Sequence, residues 1–309
     1  MDMAENNYTT ALLIPTLNAG KDWPKALESI SAQTLSPLRK IIIDSGSTDD
    51  TVALAASAGF EVVKISKKEF NHGASRQTLV DRSHDAEICI FLTQDAILAS
   101  PDSIHNLVNG FDDPHVGLAY GRQLPHTNAR PLEAHARLFN YHDRHEVRTY
   151  TDKHRLGFKV FFCSNSFAAY RKDALNQVGG FPSDSIMGED ALVSARLLLA
   201  GYKVAYVADA WAYHSHSYTF QQEFKRYFDT RVFHEQNKWL IDSYGRPTGE
   251  GLRFIRSEAN YVLRNHPQSL LRMAGSNFAK WLGYSSGKYY KKVPKNLLKR
   301  LSMHSSYWE

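Results

Sequence analysis

At 309 residues, 43% hydrophobic and 22% charged, the chain is too apolar for a disordered segment. It also lacks a collagen-like composition and, with two cysteines, is no disulfide-stapled scaffold, so one large domain with an appendage or two modest domains are expected. The net charge of +5 hides opposite signs: residues 220–309 carry 16 Lys and Arg against 7 Asp and Glu, net +9, and the first 219 residues are net −4.

The polar start M-D-M-A-E-N-N-Y-T-T runs straight into an apolar strand and shows no signal-peptide pattern. No apolar run reaches the roughly 18 residues of a membrane span. Up to Tyr120, short β-branched runs alternate with helical patterns: A-L-L-I-P, K-D-W-P-K-A-L-E-S-I, K-I-I-I-D, T-V-A-L-A-A-S-A, F-E-V-V-K-I, A-S-R-Q-T-L-V-D-R, E-I-C-I-F-L, then a helix after Pro101. Such alternation predicts βαβ units with right-handed crossovers, hence an α/β, doubly wound, mainly parallel sheet with residues 1–120 as its nucleotide-binding half.

Beyond Tyr120 the alternation loosens. A helix is expected over about 132–145, a long strand over K-V-F-F-C-S-N-S-F-A-A-Y, a helix from Glu189 and a strand over K-V-A-Y-V-A-D. These extend the sheet with antiparallel strands and make 121–219 an acceptor half. Cys89 and Cys163 sit inside apolar runs, as buried thiols of a reducing cytosol do.

From Thr219 the pattern is helical, with Phe220, Phe224, Tyr227 and Phe228 at 3 to 4 residue spacing and further helices near 251–265 and 269–284. Residues 220–309 thus form a helical, basic C-terminal region. Near its end, Lys288, Lys291, Lys292, Lys295, Lys299 and Arg300 alternate with Tyr289, Tyr290, Leu297 and Leu298, flanked by Trp281 and Trp308. Cationic heads beside apolar bodies suit an anionic membrane surface, so a peripheral position on the inner face of the cytoplasmic membrane is expected. A solvated terminal helix is the plainer alternative, and no recognised motif supports nucleic acid as a partner.

In an open parallel sheet, ligands bind beyond the carboxyl ends of the strands. The first strand ends in Pro15, Thr16 and Asn18, the second in Asp44, Ser45, Gly46, Ser47, Thr48 and Asp49, and the fourth in Thr93, Gln94 and Asp95. I-D-S-G-S-T-D-D is neither a G-x-G-x-x-G fingerprint nor a P-loop. Asp44 can accept hydrogen bonds from a nucleobase imide and a ribose hydroxyl, or serve a turn in which Ser47 or Thr48 caps a helix. Asp95 is the candidate ligand for a divalent metal, Mg²⁺ or Mn²⁺, bridging two phosphates. His214 or His216 of H-S-H would supply a second ligand favouring Mn²⁺, unless the two are structural. Glu189 and Asp190 open a helix whose dipole favours negative charge, and they point about 100° apart. One can act as general base while the other binds acceptor or backbone.

The ordered set A-L-L-I-P-T-L-N, I-I-I-D-S-G-S-T-D-D-T, L-T-Q-D-A and G-E-D resembles glycosyltransferase family 2 over residues 10–220. More narrowly, F-N-H-G-A-S-R, G-R-Q-L-P-H, S-N-S-F-A-A-Y-R, H-S-H-S-Y and R-Y-F-D-T look like bacterial O-antigen rhamnosyltransferases, nearly to Trp308. The resemblance implies a GT-A fold and an inverting enzyme that moves L-rhamnose from the nucleotide-sugar donor dTDP-L-rhamnose to a lipid-diphosphate-linked acceptor. It implies that Thr16, Asn18 and Asp44 hold the nucleoside, Asp95 the metal, and that Asp190 is the catalytic base. His72, Gly73 and Arg76 would approach the nucleotide or its phosphates. The family's D-x-D is here Thr93, Gln94, Asp95, with one carboxylate remaining. The competing classes are a family member with another donor, a nucleotidyltransferase, for which P-T-L-N-A-G is a poor triphosphate loop, and a non-catalytic sugar-nucleotide-binding membrane adaptor.

Overall fold

The apolar runs of the first half become strands and the helical patterns become helices in the computed structural model, which describes residues 8–246 and 249–309. The polar stretch 1–7, where no signal-peptide pattern is read, lies outside the described residues. In chain order come β1 (Thr10–Thr16), α1 (Trp23–Ser31), β2 (Arg39–Asp44), α2 (Thr51–Ser57), β3 (Glu61–Lys64), α3 (His72–Arg82) and β4 (Ile88–Leu92). β1 pairs in parallel with β2 and β4, and β2 with β3. Every residue of β4 and most of β1 are buried, since strands covered by helices on both faces have no wet side.

The second half adds β5 (Ile97–Leu98), α4 (Ser103–Asn109), β6 (Val116–Leu124), α5 (Pro131–Asn140), β7 (Glu146–Arg148), α6 (Lys153–Leu156), β8 (Phe167–Arg171), α7 (Lys172–Gln177), α8 (Glu189–Leu199) and β9 (Lys203–Tyr213). All nine strands join one sheet in the order β3-β2-β1-β4-β8-β6-β9-β5, with β7 on β9. β8 runs antiparallel between β4 and β6, which is the antiparallel extension expected, while β6 and β9 are parallel. This insertion of β8 carries S-N-S to the same sheet edge as the end of β4.

Two expectations change. The helix over 132–145 stops at Asn140, because Tyr141 turns to extended backbone and Glu146–Arg148 pair with β9. Ladder pairing outweighs the local helical pattern. The long strand over 159–170 shrinks to β8: Gly157–Phe161 is a 3₁₀ turn with Val160 and Phe161 buried, and Arg148 Nη1 donates to Val160 O at 3.3 Å. An apolar run signals burial before it signals a strand.

The core has two halves divided by the sheet, with Leu13 and Phe91 on one side and Leu12, Ile14 and Ile90 on the other, as alternation along β1 and β4 requires. The C-terminal helices are α9 (Phe220–Gln236), α10 (Trp239–Tyr244), α11 (Glu250–Asn265), α12 (Leu270–Gly287) and α13 (Lys295–Leu301). Phe228, Val232, Leu240, Tyr244, Leu298 and Trp308 share the cluster of Leu13 and Phe91. The expected boundary at 219/220 therefore marks a change of secondary structure across which one core continues. Even the last residues fold back. Asp229 on α9 is fully buried and accepts Met303 N–H at 2.7 Å, and Tyr307 Oη donates to Asp184 O at 3.1 Å. Among the described residues no helix is long and apolar enough to cross a membrane, and both cysteines are buried free thiols.

Candidate active site

β1 and β2 end side by side, with Thr16 opposite Asp44. Thr16 Oγ1 donates to Asp44 Oδ2 at 3.0 Å, joined there by the Ser47 hydroxyl, while Asp44 Oδ1 accepts Gly46 N–H at 3.0 Å and Ser47 N–H at 2.9 Å. Ser45 N–H closes onto Thr16 O at 3.0 Å. Asp44 is only 3% exposed, and its four acceptor positions are filled by its own loop and by Thr16 of β1. A nucleoside reaches this carboxylate only by exchanging one of those bonds. Pro15 is half-buried within β1. Asn18 has φ 44°, and no other non-glycine described residue has a positive φ. Its N–H donates to Ser47 Oγ and its Oδ1 accepts Thr48 N–H, both at 2.8 Å, so the two strand ends hold it in that conformation. Gln94 grips Leu17, accepting its N–H at 2.7 Å and donating to its carbonyl at 3.1 Å, which ties the end of β4 to the end of β1.

Thr93 O accepts Ala96 N–H at 3.0 Å, and this turn presents Asp95. Asp95 Oδ2 lies 3.5 Å from His214 Nε2 and 3.5 Å from His216 Nδ1, and ligand atoms of the three residues lie within 4.8 Å of one another. Burial holds both imidazoles below their ordinary range, His216 at about 4, so both are neutral at pH 7, the form that binds metal. His214 Nδ1 meets Gln123 Oε1 at 2.9 Å, which fixes the proton on Nδ1 and turns the Nε2 lone pair toward the Asp95 carboxylate. The cluster thus turns one carboxylate and two imidazoles toward a common point. Together they are a donor set that can hold a divalent metal ion.

α8 opens on the two carboxylates, and they divide. Glu189 is buried, and Arg76 Nη1 lies 2.9 Å from its Oε1. Burial would raise the Glu189 carboxyl, but the charges of Arg76 and His72 outweigh it and hold the group below its usual range. Asp190, half-buried, accepts Asn165 N–H at 3.2 Å on Oδ2. Burial, then the charge of Glu189, pushes it up to about 6. Of the pair, Asp190 is thus the carboxyl raised toward neutrality, and Glu189 the one held ionised against Arg76. Arg76, expected near phosphates, is occupied by Glu189. Gly73, expected there too, lies under the loop after α7, where a Cβ would sit 1.7 Å from Pro182 O. His72 Nε2 meets His304 Nδ1 at 3.4 Å, with burial lowering both imidazoles, so the C-terminal segment packs against the start of α3.

Several of these residues escape a reading by strand ends: Gln123, Asn165, Ser166, Arg137, Arg226 and His304. Ser166 Oγ lies 3.5 Å from His214 Nε2 while the adjacent Asn165 N–H holds Asp190, so the Asp95 cluster and Asp190 share one wall. Arg137 has a buried Nε with no partner, and among the described residues its guanidinium forms no ion pair. Its charge and that of Arg226 both act on His216. A guanidinium left without a carboxylate beside a cation site suits an anionic ligand. The motifs G-R-Q-L-P-H, S-N-S-F-A-A-Y-R and R-Y-F-D-T marked Gln123, Asn165, Ser166 and Arg226 without showing their roles.

The fold as a whole superposes on solved structures. A mannosyltransferase from Pyrobaculum calidifontis, solved in complex with GDP-Man and Mn²⁺, superposes with a TM-score of 0.60 at 17% identity, covering 96% of this chain and 90% of that one. TarS 1-349 from S. aureus superposes at 0.56 and 13% identity, covering 96% and 83%. At such identities these show the fold, GT-A. In sequence, the O-antigen chain rhamnosyltransferase RfbN of Salmonella typhimurium is 47% identical over 298 residues, 96% of this chain and 95% of that protein. The O-antigen chain rhamnosyltransferase WbaN of Salmonella anatum is 43% identical over the same shares. Residues 11–179, from β1 through α7, match glycosyl transferase family 2, and with relatives this similar along nearly the whole chain, the protein belongs to that family of enzymes.

Proposed function

We propose that the chain is an inverting rhamnosyltransferase of O-antigen synthesis, moving L-rhamnose from dTDP-L-rhamnose to a lipid-diphosphate-linked oligosaccharide, peripherally on the inner face of the cytoplasmic membrane. The observation that carries the chemistry is Asp190, raised to about 6 and held by Asn165 on the wall it shares with Asp95, His214 and His216. The choice of rhamnose and of O-antigen rests on the two Salmonella relatives.

In this reading Asp190 takes the proton of the acceptor hydroxyl as that oxygen attacks the anomeric carbon. The bond from that carbon to the diphosphate oxygen breaks on the opposite face, its electron pair leaves with dTDP, and the anomeric configuration inverts. Asp95, His214 and His216 would hold a divalent cation, which would supply neutralising charge for the departing diphosphate. Arg137 and Arg226 supply fixed positive charge beside that position. Thr16, Asn18, Asp44, Ser45, Ser47 and Gln94 form the interlocked strand ends against which the nucleoside rests, with Pro15 and Thr93 in the backbone beneath.

A panel of nucleotide sugars with Mn²⁺ and a lipid-linked oligosaccharide, scored for released diphosphate and glycosylated lipid, tests the proposal. dTDP and extended lipid from dTDP-L-rhamnose alone are the expected products. Preference for another donor refutes the choice of sugar. Pyrophosphate release from a nucleoside triphosphate and sugar phosphate indicates a nucleotidyltransferase, and binding without turnover indicates an adaptor.

A further inference from the structure

The inner face of α12 is made of small residues. Ser276, Ala279, Gly283 and Gly287 are buried, and a Cβ on Gly283 would lie 2.2 Å from Phe224 O, one on Gly287 2.6 Å from Phe228 O. With α9 and α12 this close, the buried line of α12 from Ser276 to Gly287 has no room for large side chains. Those of α12 turn outward instead: Leu271 is 89% exposed, Phe278 61%, Trp281 62% and Leu282 39%. At about 100° per residue they and Ala274 occupy an arc of roughly 100° opposite the small face. Tyr289, also exposed, continues the arc just past the helix.

The ribbon lies in a segment almost free of acid. From 251 to 308 the sequence holds eleven Lys and Arg and a single carboxylate, Glu258, which is buried. Lys288, Lys291 and Lys292 directly follow the helix, are exposed, and form no ion pair among the described residues. A contiguous apolar ribbon of this kind on a helix is an interaction surface. A second copy of the chain would bring like charge onto like charge, whereas an anionic bilayer answers both the ribbon and the lysines.

We propose that the outward face of α12, with Lys288, Lys291 and Lys292, is the surface that seats the protein on anionic lipid. Leu271, Phe278, Trp281 and Leu282 enter the boundary between headgroups and acyl chains, and the lysines meet the lipid phosphates. The proposal rests on the lipid-linked acceptor for its purpose. It narrows the membrane contact from the basic stretch 288–300 with its flanking Trp281 and Trp308 to α12 and the three lysines, since residues 302–308 are docked on the core.

The test is cosedimentation of the full chain with vesicles of equimolar phosphatidylglycerol and phosphatidylcholine, against phosphatidylcholine alone. Binding to the anionic vesicles that weakens with salt is expected. The double variant Phe278→Ser, Trp281→Ser is expected to weaken it about tenfold or more, and Lys288→Glu, Lys291→Glu, Lys292→Glu to remove its salt dependence. Melting temperature and dTDP release to a water-soluble acceptor should stay unchanged in both, since these residues lie outside the site. No vesicle binding by the natural chain, or full binding by the double variant, overturns the proposal. So does a dimer in lipid-free solution that the double variant dissolves. No vesicle binding by the natural chain with intact dTDP release removes the surface alone, and vesicle binding by the natural chain without dTDP release removes the transferase reading alone.

Discussion

Asp190 and Glu189 are neighbours in sequence with opposite electrostatic fates, because Glu189 is ion-paired with Arg76 while Asp190 lies against the Glu189 charge. Replacing Asp190 with Asn keeps the shape and one of its two amide contacts, to Asn165 or to Ala191, while removing the proposed base. Turnover should fall about 10²- to 10⁴-fold with dTDP affinity retained, measured by stopped assays beside calorimetry. The sign with pH follows from the raised carboxyl: above about 6 Asp190 is ionised and able to take a proton, and below it the proton is already there. The rate should therefore decline as pH falls through about 6, with no such limb in the Asn variant's residual activity. Gln123 acts one bond further out, by holding the His214 proton on Nδ1. Gln123→Leu should weaken Mn²⁺ binding about 10- to 100-fold, read by titration without substrate.

At the scale of elements, the decisive contacts are close backbone approaches. α12 lies against α9 through glycine, so a β-branched side chain at Gly283 would drive into Phe224 O and force the helices apart. Gly283→Val should cost about 1–3 kcal/mol or more, seen as a lower urea midpoint, whereas Gly251, with open space around it, tolerates Ala. The same scale explains the two misplaced elements. The pattern over 132–145 is helical in isolation, yet β9 offers residues 146–148 a ladder, and Arg148 in turn holds the carbonyls of the turn at Lys159 and Val160. A local window contains neither partner.

For the whole molecule, the last residues belong to the catalytic body. Asp229 anchors Met303, His304 lies against His72, and Trp308 is buried beside Tyr290. Deleting residues 302–309 would leave a buried carboxylate without its amide donor and an empty place for an indole. A loss of at least about 3 kcal/mol is expected, with reduced turnover, measured by urea unfolding and dTDP release. A free tail would leave both quantities unchanged.

The sequence by itself determined the alternating half, the strand-end loops and the acidic start of α8, because strand periodicity, turn chemistry and helix termini are properties of neighbouring residues. It also marked Asp95, His214 and His216, since residues after apolar runs fall at the sheet's ligand edge. Only the tertiary structure decided that Arg76 serves Glu189, that Gln123 orients His214, and that Asn165 holds Asp190. It alone turned the large side chains of α12 to solvent and the final residues to the core. Those outcomes depend on which distant groups meet in space, and a hydrogen bond or a glycine contact leaves no period along the chain from which to read its partner.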